Sequence, residues 1–348
     1  MGAGLAGLRL ADLLFANGQD FLTLEGRDRP GGRVLSQSIA DTPYDLGPAW
    51  FWREQPLIND LIADLGLKPF DQYATGNLIF EDAQGAVRRD LAFSTMAGSQ
   101  RLVGGLGTLT SALQARLPKD RLLLKHVVTS LTQAAAGIQA SVETPTGVVT
   151  VIAQRVVLAV PPRVIAECIQ MTPALSDTAL QTMAAVPTWM AGHAKVVAVY
   201  ETPFWRETGF SGDAISHRGP LVEIHDASAD GEVAGALFGF VGVLADMRHQ
   251  SGFDLKALAV EHLTRLFGPA AANPSDVLIQ DWATEPLTAT KADSDSPPQH
   301  PVYGLPPALN GLWDGAVLLG STEVATMHGG FLEGALESAD AVFQRLIA

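Results

Sequence analysis

The first seven residues constrain this chain more tightly than any other stretch. Gly2, Gly4 and Gly7 form a G-x-G-x-x-G array. In such an array the first glycine turns the chain sharply out of a strand, the second lets the backbone approach a pyrophosphate, and the third lets the next helix pack closely on a sheet. Leu10, Leu13 and Leu14 then recur at helical spacing and Asn17-Gly18 supplies a stop, so a helix is predicted over Leu5 to Asn17. Phe21 to Glu25 reads as a buried strand. Glu25 falls at its end, where a carboxylate can accept hydrogen bonds from the ribose hydroxyls of an adenosine and would repel a 2′-phosphate. The pattern predicts an α/β fold with a dinucleotide site.

Glycine and alanine also cluster in ordinary loops, so the array takes its meaning from its neighbours along the chain. Glu25-Gly26-Arg27-Asp28-Arg29-Pro30-Gly31-Gly32-Arg33 resembles the E-x-R-x-x-x-G-G-R segment of the FAD-dependent amine oxidase superfamily. A plain surface loop would need two adjacent glycines and three arginines within seven residues by accident. The resemblance implies a Rossmann-like FAD-binding domain and a second, smaller α+β substrate domain built on a mixed sheet. It also implies that Glu25 and Arg27 hold the adenosine end, that Gly31 and Gly32 meet the pyrophosphate, and that Arg33 lies beside phosphate and flavin.

In that family an apolar strand precedes the array and lies in the middle of the parallel sheet, whereas here the motif begins at Met1. Dropping a central strand leaves its neighbours with unpaired buried backbone groups. The expectation is therefore threefold: the gene product begins upstream, another segment fills the gap, or the FAD site is crippled.

Further segments resemble the family in order along the chain. Asp45-Leu46-Gly47-Pro48-Ala49-Trp50 is similar to its D-L-G-G-x-W run, which implies that Gly47, Pro48, Ala49 and Trp50 border the flavin, with one backbone donor lost at Pro48. Pro56 to Leu65 has helical spacing, and Asn77 to Phe80, with a return at Val87, reads as a hairpin. Only Asp90 to Gln100 separates that hairpin from the glycine-rich Arg101 to Leu109, so the family's long helical insertion is absent. Leu122 to Leu131 reads as one strand, on which the resemblance places Val128 against the adenine. Val156 to Pro162 resembles the V-x-A-x-P-P crossover and must end as a strand at Pro161.

His193 to Tyr200 followed by Pro203-Phe204-Trp205 resembles the K-x-x-x-x-Y-x-x-P-F-W stretch, which implies that Lys195 lies near the reactive nitrogen of the flavin. An isolated lysine is otherwise an ordinary surface residue, but Val196 and Val197 read as a buried strand. Leu255 to Phe267 is an amphipathic helix with Leu255, Leu258, Leu266 and Phe267 on one face. Trp282 begins a return towards the flavin. Thr288 to Gln299, with Asp293, Asp295, Pro297 and Pro298, reads as a mobile polar loop.

Gly320-Ser321-Thr322-Glu323 with Gly329-Gly330-Phe331-Leu332-Glu333-Gly334-Ala335 is similar to the closing signature G-T-E-x-x-x-x-x-G-Y-x-E-G-A. The resemblance implies that Thr322, Glu323, Gly330, Phe331 and Leu332 border the cofactor. Phe331 also stands at one of two aromatic positions that enclose the substrate amine, while Ala292 stands at the other. Lys291 replaces the cysteine that bonds the flavin in some relatives, so FAD is expected to be non-covalent. The nucleotide domain is assigned residues 1 to 72, 101 to 160 and 305 to 348, and the substrate domain residues 73 to 100 and 161 to 304.

The net charge of −14 argues against nucleic acid or an anionic membrane surface as partner and favours a cationic small substrate. Cys168 is the only cysteine, which excludes an intramolecular disulfide and a thiolate metal cluster, and it reads as a small buried apolar residue. With no long apolar run and no basic leader, the expected location is cytoplasmic. Three functions remain open at this level: an amine or amino-acid oxidase passing a hydride to FAD with dioxygen as acceptor, a flavin-dependent dehydrogenase or desaturase of a non-amine, and a flavin-binding scaffold without turnover.

Overall fold

The structure is a computed structural model that describes residues 1–295, 297 and 299–348. Pro298, one of the residues expected in the polar loop, lies outside the described residues.

The first helix, Leu5–Ala16, starts directly after Gly4, which is extended at its N-cap. Its face of Leu5, Ala6, Leu8 and Ala11 is buried with Leu109 and Leu113 of the helix Gly107–Arg116 and with Leu336 of the closing helix Leu332–Ile347. Each such leucine contributes roughly 1.5–3 kcal/mol by leaving water. These three helices support one side of a parallel sheet that exists as two pairs. Thr23–Leu24 runs beside Leu122–Leu123, and Val156–Leu158 beside Val317–Leu319.

Met1 and Gly2 bridge the two pairs. Gly2 N–H donates to the Leu24 carbonyl at 2.7 Å, Ala159 N–H donates to the Met1 carbonyl at 2.9 Å, and the Met1 amino group donates to the Val157 carbonyl at 2.9 Å. Among the described residues no other segment pairs into the space between them. The gap expected ahead of the glycine array is thus spanned at its site end by two residues.

Leu122 to Leu131 is not one strand. The chain breaks at Lys125, whose φ of +59° is a left-handed conformation that an extended strand cannot contain. Lys125 N–H and His126 N–H donate to the Arg27 and Glu25 carbonyls, which fastens the break to the loop after Glu25. The next strand, Val127–Ala134, joins a separate four-stranded sheet ordered Gly147–Ala153, Gly137–Thr144, Val127–Ala134, Gln170–Thr172.

A second layer is a seven-stranded mixed sheet ordered Asp276–Asp281, Ala194–Tyr200, Gly235–Val241, Leu221–Asp226, Phe210–Ser216, Asn77–Glu81, Val87–Leu91. The strand Ala194–Tyr200 is buried along its whole length. The helix Leu255–Phe267 covers one face of it, burying Val196 and Ala198 with Leu263 and Leu266. The opposite face, with Val197 and Val199, packs with Tyr44, Leu46 and Phe238. Burial on both faces explains why this segment lacks the polar alternation of a half-exposed strand. The helix presents Ala259, His262, Leu263 and Leu266 inwards, so Leu258, expected on that face, is exposed instead.

Glu81 anchors this layer from within. Its carboxylate accepts from Arg265 Nε at 2.7 Å and Nη2 at 3.1 Å and from Ser216 Oγ at 2.6 Å, with His262 Nε2 3.2 Å away. The Arg265 bonds above all hold its pKa down to about 2, against an ordinary 4.5. A depressed carboxylate pKa gives stability that is complete above pH 4.5 and is lost as the pH falls towards 2. Glu81→Ala should cost about 1–3 kcal/mol, because it leaves the buried Ser216 and His262 side chains without their partner while the partly exposed Arg265 is rehydrated. Urea denaturation at neutral pH measures this, and an unchanged midpoint would refute it.

Candidate active site

Between the two layers lies a cleft of about 420 Å³. Its walls are built largely from the segments singled out by their sequence, which come together from distant parts of the chain.

The glycine turns form the tightest part. Gly31 N–H donates to the Ala3 carbonyl at 2.8 Å, and a Cβ at Gly32 would stand 3.1 Å from Gly4 Cα. Two loops therefore meet backbone to backbone, and Gly2, Gly4, Gly31 and Gly32 all line the cleft. Gly7 does not line it. A Cβ there would overlap the Gly2 carbonyl oxygen, so Gly7 serves the close packing of helix on turn. Glu25, itself buried, spans the same region: Oε2 accepts from Ala3 N–H at 2.7 Å and Oε1 from Arg27 N–H at 2.9 Å. Arg27 reaches across to the facing loop, donating to Glu285 Oε2 at 3.0 Å and Thr288 Oγ1 at 2.8 Å. Val128 closes this end.

Arg33 lines the cleft and places Nη1 2.7 Å from Glu323 Oε1. Glu323 is fully buried just behind the wall, and among the described residues its carboxylate receives no hydrogen bond of good angle. Ser321 Oγ is also without a partner there. Buried polar atoms are normally satisfied, so Ser321, which borders the cleft, marks a place where a polar ligand fits. Thr322 Oγ1 accepts from Gly330 N–H at 2.9 Å and donates to the Phe331 carbonyl at 2.9 Å, which ties the two halves of the closing signature together. Leu332 then opens the sixteen-residue final helix, whose N-terminus favours negative charge.

At the other end Gly47, Pro48, Ala49 and Trp50 form one wall. Two side chains hold it, one on the mixed sheet and one just past its edge strand. Trp282 Nε1 donates to the Leu46 carbonyl at 3.1 Å and Lys195 Nζ to the Gly47 carbonyl at 3.1 Å. Lys195 is 3% exposed, and its ammonium lies 3.9 Å from the centre of the Phe238 ring. Burial lowers its pKa from 10.5 to about 7, against the opposing pull of the Asp45 carboxylate, and Arg101 adds to the lowering. A buried amine that titrates near neutrality beside a cleft is a functional-site signature.

Phe331 is 40% exposed at the mouth. Its ring stacks on His300 with centroids 4.7 Å apart and planes 12° off parallel, and His300 in turn meets Trp189 edge-on at 4.9 Å. An imidazole thus lies directly against Phe331, and a stacking distance of 4.7 Å leaves no room for an amine between the two rings. Ala292 and Lys291 do not line the cleft. The polar segment around them, expected to be mobile, is fastened through Asp293. That carboxylate accepts from Arg163 at 2.6 Å, Thr188 N–H at 3.1 Å, and both N–H and Oγ1 of Thr290 at 2.9 Å. Cys168, expected in the core, is exposed at the end of the helix Pro162–Cys168 and borders the cleft.

Sequence reasoning missed a row of residues across the mixed sheet. Lys195 pairs with Phe240, and Phe240 with Glu223, so the three share one face. Glu223 Oε1 is 2.9 Å from His225 Nε2, and His225 Nδ1 is 2.9 Å from Asp213 Oδ1. Burial opposes charge on His225, but the bonds to Asp213 and Glu223 outweigh it and raise its pKa. With two carboxylates against one imidazole, the cluster is negative whether or not the imidazole carries its extra proton. No motif announces it, because it depends on the register of strands far apart in sequence.

Among the described residues no helix is long and apolar enough to cross a membrane, and no group of three or more His, Cys, Asp or Glu side chains is arranged to hold a metal ion.

A two-layer α/β fold with a backbone-lined cleft and a buried lysine at its sheet end defines an FAD-dependent oxidoreductase. The family model for flavin containing amine oxidoreductases matches residues 5–81 and 70–347. The chain belongs to that family. It is 23% identical to a probable flavin-containing monoamine oxidase A of Dictyostelium discoideum, across 97% of this chain and 94% of the relative. That alignment runs over 444 positions against 348 residues here, so the relative carries long insertions that this chain lacks. It is 25% identical to a putrescine oxidase of Kocuria rosea, across 83% of this chain and 82% of the relative. Its fold matches a putrescine oxidase solved with putrescine (TM-score 0.82, 21% identity, 99% of this chain and 97% of that one). It also matches cyclohexylamine oxidase from Brevibacterium oxydans (TM-score 0.81, 18% identity, 100% and 98%).

Proposed function

We propose that this enzyme oxidises a small cationic amine to an imine with dioxygen as final acceptor. The observation that carries the reading is Lys195, a buried amine whose pKa burial lowers to about 7, in the wall of the cleft that the glycine turns also line. Bound FAD supplies a two-electron acceptor for the hydride leaving the carbon next to nitrogen. The protein's part is to place that carbon, exclude water and hold charge. The amine must arrive at the carbon-oxidising step without its extra proton, and the imine released is hydrolysed by water to an aldehyde, or a ketone where the carbon is secondary, and ammonia.

On this reading residues 1–72, 101–160 and 305–348 hold FAD. Glu25, Arg27 and Val128 take the adenosine; Gly2, Gly4, Gly31 and Gly32 take the pyrophosphate; and Arg33, Gly47 to Trp50, Trp282 and Thr322 to Glu323 with Gly330 to Leu332 surround the ring system. Residues 73–100 and 161–304 hold the substrate. Neighbouring strands are about 4.8 Å apart, so Glu223, two strands from Lys195, lies roughly 10 Å away along the same face. Its acidic cluster favours a substrate with a second positive charge, as in a diamine such as putrescine.

The test is hydrogen peroxide release by the FAD-loaded protein on a panel of putrescine, cyclohexylamine and neutral non-amine donors. Peroxide with the amines, fastest with putrescine, is the expected result. Dye reduction without peroxide would replace oxidase by dehydrogenase, and a protein that binds no FAD would end the proposal.

A further inference from the structure

Residues 92–98 connect Val87–Leu91, an edge strand of the mixed sheet, to the strand Ser99–Leu102. Connections normally run over the surface, and Ala92, Phe93, Ala97 and Gly98 are exposed. The three residues between them turn inwards. Ser94 Oγ donates to Oδ2 of the buried Asp213 at 2.6 Å. Thr95 Oγ1 stands 3.5 Å from His225 Nδ1. The Met96 carbonyl accepts from Ser99 N–H at 3.1 Å and from Ser99 Oγ at 2.8 Å. The chain is thus pinned on both sides of Met96, and Met96 lines the cleft.

The same contacts say which end of the cleft this is. His225 meets Trp50 edge-on with ring centroids 4.9 Å apart, Trp50 lies 6.4 Å from Phe240, and Phe240 pairs with Lys195 across the sheet. Trp50, Phe240 and Lys195 all line the cleft. Met96 therefore stands at its lysine end. Methionine is apolar and unbranched and fills irregular space, so at this position it offers bulk and no charge. It acts on a ligand by the room it takes.

We propose that Met96 sets how long a substrate can be, by closing the lysine end of the cleft, and that the bond from Ser94 to Asp213 holds it there. The inference rests on the reading that the cleft takes an amine. It makes Met96 a specificity-determining residue and Ser94 a positioning residue for it. The length of chain accepted beyond the reacting carbon is then decided by the short connector, while the sheet beneath supplies the lysine.

Straight-chain diamines from diaminopropane to diaminooctane read this with the FAD-loaded protein. Two quantities are measured for each. One is kcat/KM from peroxide release. The other is the dissociation constant for the dithionite-reduced protein, which cannot turn over, read from tryptophan fluorescence because Trp50, Trp52, Trp189 and Trp282 line the cleft. A methylene too many in an apolar pocket costs about tenfold or more in kcat/KM. Met96→Ala should therefore move the optimum to longer diamines, with a gain of about tenfold or more on a chain the parent rejects. Met96→Phe should move it to shorter ones, and Met96→Leu, which keeps the volume, should leave it in place. Ser94→Ala should flatten the preference, raising KM for the best diamine more than it lowers kcat. Peroxide release with the same optimum in the parent, Met96→Ala and Met96→Phe would overturn the inference and leave the oxidase reading standing. Absence of peroxide, with dissociation constants that shift in length as stated, would end the oxidase reading and uphold the inference. Dissociation constants with one length dependence in all these proteins would overturn it as well.

Discussion

Lys195→Met is expected to slow reoxidation of the dithionite-reduced, FAD-loaded protein by about 10²-fold, the scale of losing one preorganised charge-stabilising donor. Methionine keeps much of the stem volume and can rest on Phe238 as the lysine does, so packing should survive while the charge disappears. The effect carries a pH signature. With its pKa lowered to about 7, Lys195 is a cation below that pH and neutral above it. The native protein should therefore lose rate as the pH rises through 7, and the variant should be flat over the same range. Stopped-flow absorbance at the flavin band, with reduced protein mixed with oxygenated buffer, needs no knowledge of the substrate. Equal rates in the two proteins would remove Lys195 from this half of the reaction.

Glu25→Ala should raise the dissociation constant for FAD by about 10²-fold or more. The structure gives this carboxylate two backbone partners, Ala3 N–H and Arg27 N–H, one from each glycine-bearing loop. Hydrogen bonds to a charged group are each worth about 1.5–3 kcal/mol, and removing the acceptor also strands two donors at the most closely packed part of the cleft. The loss therefore includes the shape of the pyrophosphate cradle as well as any bond to a ribose. Titration of apo-protein with FAD, followed by flavin fluorescence, measures the constant, and circular dichroism checks that the fold is retained. Glu25→Gln keeps one acceptor oxygen and should fall between. A constant unchanged in Glu25→Ala would mean that the carboxylate supports neither loop nor cofactor.

The legible part of the sequence obeys a physical rule. Positions where the backbone itself makes the surface can be read locally, because only glycine fits them. Gly2, Gly31, Gly32 and Gly330, each with a positive φ, are such positions, and all line the cleft. Lys195 is legible because its neighbours spell a strand buried on both faces, which makes a charge among them conspicuous. The break at Lys125 is not legible. A lysine with positive φ carries no signal, and the conformation is held by bonds to the carbonyls of Glu25 and Arg27, far away in sequence. The same holds for the Asp293 clamp, for the stacking of His300 on Phe331, and for the chain from Glu223 through His225 to Asp213. Each is a meeting of single residues whose partners are chosen by tertiary register, and none leaves a periodic trace.

The strand Ala194–Tyr200 has neighbours on both edges and cover on both faces. Its amide hydrogens should accordingly be among the last in the molecule to exchange with deuterium, opening only when the whole domain unfolds. A lysine rooted in that strand inherits its stiffness, so its ammonium is fixed in place before any substrate arrives. The same rooting limits how such an enzyme can diversify. Shifting the lysine would require repacking two layers at once, whereas Phe331, His300 and Trp189 stand at the mouth on irregular segments that can change at little cost to the fold. New substrate ranges would therefore arise around a lysine that stays where it is.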